Sequence, residues 1–392
     1  MNYLQQRKKE RFVFFLLKII GFGCIACCCG LYLGANFEIN AEAKATYESI
    51  RPLLALYALC LGVYSLAAIC IAYNINICLH EIGHLIFGLM TGYQFVSLRL
   101  GPMIIMKVKG KLRLYRTGVL LGGGACEMAS SKKDAEHMPV VLFNLGGLIM
   151  NFVVFLIGIA VFLQMKNLIS GSIVLVLSMT SLLMIILNGI PLPQLGNDGS
   201  RAVILCKDTN AREAYSNLLK ITKYTTDNYS IREMPAELFS FDKSIPMTNQ
   251  IITAQAVNQF QYFLEHRMYT EAKEMASFIL ENTTNIIADQ EIQLRSETLF
   301  IAIVIDQDKE SAKKQFGLHE NSLMQTTHYL STLRVLYAYY SLVEVNLEKA
   351  TKYAKIHESI FKSIVYPKVA EMEMEKIILL TDLLQSVAGK TE

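Results

Sequence analysis

Apolar positions along this chain gather into four long runs before about residue 190, after which the pattern reverts to amphipathic periods. Phe12 to Gly34 is broken only by Lys18, Leu53 to Met90 holds 38 residues, and Pro139 to Leu163 is joined to Leu168 to Ile190 by a short loop with one charge, Lys166. Each can cross a bilayer, which takes ~20 helical residues. The second run would be roughly 57 Å long as one helix, too long for a simple span. Either its first turns project or tilt, or it breaks near Asn74 and Asn76 and forms a second pass. A second pass would put residues 91–138 outside together with Arg99, Lys107, Lys109, Lys111, Arg113, Arg116, Lys132 and Lys133. Basic loops favour the cytosol, so one inward crossing is expected.

Between Gln94 and Gly124 the period shortens to two. Met106, Val108, Leu112 and Leu114 alternate with Lys107, Lys109, Lys111 and Arg113, and Gly110 sits where a turn belongs. This predicts a β-hairpin, either a plain connection or an amphipathic element at the membrane edge that offers a strand to an extended peptide. The fourth run ends in Asn188-Gly189-Ile190-Pro191-Leu192-Pro193-Gln194-Leu195-Gly196-Asn197-Asp198-Gly199, where prolines and glycines stop the helix. Backbone of that kind at membrane depth must be buried in protein or face water.

After Arg201 there is no further spanning run, and amphipathic periods predict helices throughout. Ala272, Ala312 and Ala350 recur 40 and 38 residues apart in similar contexts, close to helical-hairpin repeats of the tetratricopeptide kind. The expected fold is therefore mainly α: a polytopic membrane protein with about four transmembrane helices, a small membrane-associated β-hairpin and a C-terminal soluble α-helical repeat-like domain. Residues 1–50 form an anchor helix and a short extracytoplasmic loop, 51–205 the membrane core, and 206–392 a cytosolic helical domain with a surface for a protein or peptide partner. Arg7, Lys8, Lys9 and Arg11 place the N-terminus in the cytosol, and four crossings return the C-terminal part to the same side.

Composition supports a membrane protein. The 392 residues are 53% hydrophobic and only 18% charged, with a mean hydropathy of +0.34, too apolar for a soluble chain of this length. A net charge of +3 without a basic patch excludes a nucleic-acid partner. Seven of the nine cysteines, Cys24, Cys27, Cys28, Cys29, Cys60, Cys70 and Cys78, lie in apolar runs, as packing residues or as acylation sites at Cys27 to Cys29, and not as a disulfide framework.

Against this background the stretch His80-Glu81-Ile82-Gly83-His84 is costly, because it sets two imidazoles and a carboxylate inside an apolar run. On a helix, His80 and His84 share a face and can converge on one metal ion, with Glu81 beside it as a base. The pair lies about 9 to 15 Å along the helix from Met90. Catalytic zinc takes three protein ligands and a water. Asp198 and His137 are the candidates for the third, and Asp198 is favoured because it follows the broken helix end on the cytosolic side. Zinc would then activate a water for attack on a peptide carbonyl, with Glu81 taking and returning the proton. Asn151, Asn188 and Gly147 would line a hydrated cavity, or Asn151 would instead make a helix-to-helix hydrogen bond.

These features resemble the site-2 protease family of intramembrane zinc metalloproteases over residues 53–205. His80, Glu81 and His84 are similar to its zinc helix, Gly147 with Asn151 to the glycine-to-asparagine motif of its next core span, and Asn188, Pro191, Pro193, Asp198 and Gly199 to its last motif. Val119-Leu120-Leu121-Gly122-Gly123 resembles the glycine pair after its hairpin. The resemblance implies Zn2+ held by His80, His84 and Asp198, Glu81 as base, membrane-embedded protein or peptide substrates, and a bacterial plasma membrane. Leu148 stands where the family has proline, and Gly196 and Asn197 lengthen the last motif by two residues. A non-proteolytic relative, serving as a scaffold or immunity factor through its cytosolic helices, is the alternative. A metal transporter ranks third, having only four spans and one ligand cluster.

Overall fold

A computed structural model describes residues 15–27, 47–108, 110–116, 123–130, 139–193, 196–283, 285–362, 364 and 366–388. The expected features at Val119 to Gly122, His137 and the ends of the first apolar run lie outside these residues. The chain is mainly helical and divides into two units, one of residues 1–106 and 112–209, the other of residues 107–111 and 210–392.

In the first unit, α1 covers Phe15–Cys27, part of the first apolar run. Helix α2 (Tyr47–Met90) is continuous through Asn74 and Asn76, so the expected choice between one helix and a break falls to one helix. Both asparagines return an amide hydrogen to the helix itself, Asn74 Nδ2 to Cys70 O and Asn76 Nδ2 to Ala72 O. Helix α2 starts inside the segment expected as an extracytoplasmic loop, since polar residues extend a helix beyond its apolar run at little cost. Helices α3 (Val140–Phe162) and α4 (Leu168–Gly189) match the third and fourth runs. Among the described residues three helical segments are long and apolar enough to cross a membrane: Gly62–Met90, Val140–Phe162 and Leu168–Gly189.

Helices α2 and α4 share a buried apolar cluster of Ile69, Val176, Leu183 and Leu187, but around the α2–α3 crossing small and polar residues are buried and large apolar ones exposed. Asn144, Gly146, Gly147 and Asn151 are buried on α3, while Phe152, Val153, Leu156 and Ile157 face outward. That inversion suits lipid, where close backbone approach and interhelical hydrogen bonds replace the hydrophobic drive. Asn76 also donates to Leu177 O of α4 at 3.1 Å and accepts from Ser181. A Cβ at Gly83 would strike Gly146 O, and one at Gly146 would strike Gly83 O, so α2 and α3 cross there backbone to backbone.

Between α2 and α3 lies a four-stranded sheet of β1 (Tyr93–Leu100), β2 (Met103–Val108), β3 (Lys111–Arg116) and β4 (Gly124–Ser130), in the order β3-β2-β1-β4. The expected hairpin is β2–β3, turning at Gly110 with φ +77°, but it forms only half of this sheet. Strand β1 pairs antiparallel with both neighbours, opposing Arg99 to Ile104 on β2 and to Ala125 on β4, with an irregularity between Phe95 and Ser97. Val96, Leu98 and Met128 are buried, whereas Leu112 and Leu114 of β3 are exposed.

The second unit contains α6 (Thr209–Thr226) and three helical hairpins: α7 (Gln250–Glu265) with α8 (Tyr269–Asn282), α9 (Ala288–Phe300) with α10 (Lys309–Gln325), and α11 (Leu330–Leu342) with α12 (Leu347–Phe361). Helix α9 continues into a wider turn at Ile301–Ile305, and α13 (Pro367–Ala388) follows the last hairpin. Ala272, Ala312 and Ala350 are each the fourth residue of a hairpin's second helix and are all buried. Each turn carries a left-handed residue five positions earlier, Arg267, Gln307 or Val345. At the centre the fully buried Arg334 is bracketed by Glu297 at 2.6 Å and Glu373 at 2.9 Å.

Candidate metal centre

The site is built where α2, α3, α4 and the helix after α4 meet. His80 and His84, one turn apart on α2, are both buried and turn their rings to the same side, edge to face with centroids 4.8 Å apart. Their Nε2 atoms stand 3.2 Å from each other. His84 Nδ1 is 2.8 Å from the backbone oxygen of Phe143 on α3. A carbonyl can only accept, so Nδ1 carries the hydrogen and leaves the Nε2 lone pair free to bind a cation. His80 owes its place to Gly147, because a Cβ there would come within 2.5 Å of the His80 Cε1 and Nε2 atoms.

Asp198 arrives from the far end of α4. The loop after Gly189 folds back and starts α5 (Asp198–Lys207), with Asn197 as its cap. Asn197 Oδ1 accepts from Leu192 N and Ser200 N, both at 3.2 Å. Its Nδ2 donates to Leu187 O at 3.0 Å and Ile190 O at 2.7 Å. One side chain thus ties the end of α4, the proline segment and the start of α5 together. Gly196, with φ +62°, makes the turn into it. The two residues that lengthen the last motif are therefore the ones that deliver Asp198.

Asp198 Oδ2 lies 2.8 Å from His80 Nε2 and 3.4 Å from His84 Nε2. Burial works to raise the Asp198 carboxyl, but the hydrogen bonds and charges of the two histidines outweigh it and hold it well below the usual carboxylate range. Two nitrogens and one oxygen thus form a triangle with edges of 2.8, 3.2 and 3.4 Å. A tetrahedral zinc ion with ligand bonds of ~2.0–2.2 Å needs ligand atoms roughly 3.3 Å apart. The donor set and its spacing fit such an ion, and among the described residues no other three histidine, cysteine or acidic side chains converge in this way.

The triangle lies on the wall of a cavity of about 470 Å³ also lined by Glu81, Glu127, Asn188 and Arg201. Glu81 is held against β4, since a Cβ at Gly124 would overlap its side chain. Asn188 reaches the wall as expected and donates to Met184 O at 3.2 Å. Asn151 does not line the cavity; it is fully buried on α3, and neither its Oδ1 nor its Nδ2 has a partner among the described residues. Gly147 acts from behind His80 and not as cavity lining. Sequence reasoning missed the contribution of β4, whose Gly124, Ala125, Cys126 and Glu127 line the cavity, and that of Asn197. The signal for Asn197 was an asparagine directly before the aspartate in a broken helix end.

No curated protein and no solved structure matches this chain. A family model described as peptidase family M50 matches residues 68–388, that is 321 of the 392 residues. The match takes in the His80 to His84 turn, the sheet, α3, α4, Asp198 and the C-terminal helices. The chain belongs to peptidase family M50, the site-2 protease family of membrane metallopeptidases.

Proposed function

We propose that this chain is an intramembrane zinc endopeptidase that hydrolyses peptide bonds in or near transmembrane segments or membrane-bound peptides. The observation that carries the reading is the convergence of His80, His84 and Asp198 on one wall of a cavity that Glu81 shares. His80 Nε2, His84 Nε2 and an Asp198 oxygen would hold the ion. Bound there, zinc supplies a polarised carbonyl and a water that ionises near neutral pH.

The chain's own groups do the rest. Glu81 accepts the proton of the attacking water and returns it to the leaving amine. Phe143 O fixes the His84 tautomer, and Asp198 balances positive charge at the centre. Strand β4 is one of the two edges of the sheet and the one that lines the cavity, so an extended substrate can pair with it beside Glu81. The expectation that the β2–β3 hairpin presents the substrate thus passes to β4. The charge bias of residues 91–138 supports a cytosolic location for the N-terminus and the C-terminal unit. Resemblance adds the plasma membrane of a bacterium.

The test compares native membranes of cells carrying the wild type or Glu81→Gln. Small membrane peptides are expected to accumulate with the variant, which keeps its zinc after purification. Identical peptide profiles would leave the scaffold reading in place. In Asp198→Ala bound zinc is expected to fall, and an unaltered metal content would remove Asp198 from the site.

A further inference from the structure

The C-terminal unit carries a second polar cavity, unconnected with the metal centre in its chemistry. On α7, Asn258, Gln261 and Glu265 occupy positions i, i+3 and i+7, one face of the helix. On α9, Gln290, Gln293 and Glu297 repeat that pattern 32 residues later at all three positions. These helices open two successive hairpins, and all six side chains line one cavity of about 530 Å³. An amide, an amide and a carboxylate therefore stand in register on neighbouring helices where a packed core would have apolar residues.

Several of these groups are unsatisfied. Asn258 Nδ2, Gln261 Nε2, Gln290 Oε1 and Glu297 Oε2 are buried and have no hydrogen-bond partner among the described residues. Native proteins rarely leave such atoms unpaired, so a ladder of four in one cavity marks a place for an absent partner. Two amide donors and an amide acceptor complement the C=O and N–H groups of an extended backbone. Neighbouring helices stand ~8–10 Å apart, about three residues of extended chain at ~3.3 Å each.

The carboxylate end selects the charge. Glu265, Glu297 and Glu373 line the cavity and meet Lys376, the buried Arg334 and, at Glu373, the His357 ring at 2.9 Å. Arg232, 4.0 Å from Glu265, is engaged by Glu375 at 2.8 Å. Asp289 on the rim adds a further negative charge. The lining therefore offers carboxylate oxygens to a ligand, and its one cation among the described residues, Lys376, is already held by Glu265 at 2.7 Å. The free oxygen belongs to Glu297, which is 2% exposed.

We propose that this cavity binds an extended peptide segment, with the amide ladder of α7 and α9 holding its backbone and Glu297 receiving a cationic group. That cation is either the free amino terminus of a short peptide or a Lys or Arg side chain within a longer segment. The assignment is independent of the metal centre and of proteolysis.

The test uses the full-length chain carrying Glu81→Gln, in lipid nanodiscs, to capture random heptapeptides from three libraries: free amino termini without Lys or Arg, acetylated termini with one Lys or Arg, and acetylated termini without either. Enrichment of the first library assigns the cation to a terminus and of the second to a side chain; either supports the site. The companion variant Asn258→Leu/Gln261→Met replaces orphaned amides by apolar groups of similar size. It is expected to melt no lower than the parent while capture falls at least tenfold. A merely structural role for the amides predicts a lower melting temperature. Equal capture by parent and variant overturns the proposal. So does absence of capture by the parent, or enrichment of the third library to the level of the other two.

Discussion

Replacing Gly147 by alanine puts a methyl group where the His80 ring now lies. The new carbon would stand 2.5 Å from Cε1 and Nε2 of His80, against the ~3.5–4.0 Å of an ordinary carbon contact. Relief needs about 1 Å of movement by the ring or by α3. Helix α3 is poorly placed to withdraw, because Gly146 packs on the Gly83 backbone at the same crossing and separation would open voids. The ring must yield. Metal sites tolerate ligand displacements of ~0.2 Å, so His80 would leave the ligand set. Losing only the orientation of a ligand typically costs 10–100-fold in affinity. Losing the ligand costs more, and zinc affinity is expected to fall at least ~100-fold, about 2.8 kcal/mol. The fold should survive, since alanine favours a helix over glycine by ~0.8–1.0 kcal/mol. The assay titrates purified full-length protein in detergent with chelators of graded affinity and records melting on the same samples. Gly146→Ala is the contrast: its methyl meets backbone, and a lower melting temperature is expected. Wild-type zinc affinity in a folded Gly147→Ala protein would refute the reasoning.

Other perturbations test separate parts of the structure. Asn197→Ala removes the α5 cap, worth ~1 kcal/mol, together with the bonds to Leu187 O and Ile190 O; zinc retention in chelator competition should drop although every ligand is present. Val345 is a β-branched residue at φ +54° and well exposed, where an L side chain costs ~1–2 kcal/mol. Val345→Gly should raise the melting temperature of the C-terminal unit, and a lower value would mean that the turn is not strained. Glu373 is buried, which works to raise its carboxyl, but Arg334 and the His357 bond prevail and hold it at about 2. Because its folded value lies below the unfolded one, the stability it contributes is full above about pH 4.5 and is lost as pH falls toward 2, on the order of 3 kcal/mol in all. Near-ultraviolet circular dichroism should show loss of tertiary structure in that window, with a shallower pH dependence in Glu373→Gln.

What the sequence disclosed depended on how local each signal was. A run of apolar residues long enough for a bilayer is its own evidence, so the ends of α3 and α4 were legible to within a residue. His80, Glu81 and His84 were legible because four-residue spacing on a helix fixes geometry without help from the rest of the chain. Strands β1 and β4 were missed. Phe95-Val96-Ser97 carries an irregularity that breaks alternation, and Gly124-Ala125-Cys126 consists of small residues without a strand preference. The cap at Asn197 depends on carbonyls up to ten residues away. In the C-terminal unit the alanine repeat was visible, but the turns hid behind Arg267, Gln307 and Val345, none of them glycine. The amide ladder was hidden by a change of period. The ladder residues recur at 32 residues and the second helices at 40, because α7 ends at Glu265 whereas α9 and its wide turn run on past Glu297 to Ile305.

The packing of the apolar helices also explains how so polar a site is tolerated among them. Lipid would charge heavily for His80, His84, Asn76 and the hydroxyls of α4 if they faced outward. They face one another. Asn76 engages Leu177 O and Ser181, His84 engages Phe143 O, and Ser178 and Thr180 return to carbonyls of their own helix. What permits this is the scarcity of side chain at the crossing: with Gly83 against Gly146 and Gly147 beneath His80, the backbones come close enough for hydrogen bonds to span helices. Larger residues there would separate the helices and strand each polar group. The glycines therefore precede the histidines in the logic of the site. They set the spacing at which two imidazoles and a carboxylate can be brought together at all.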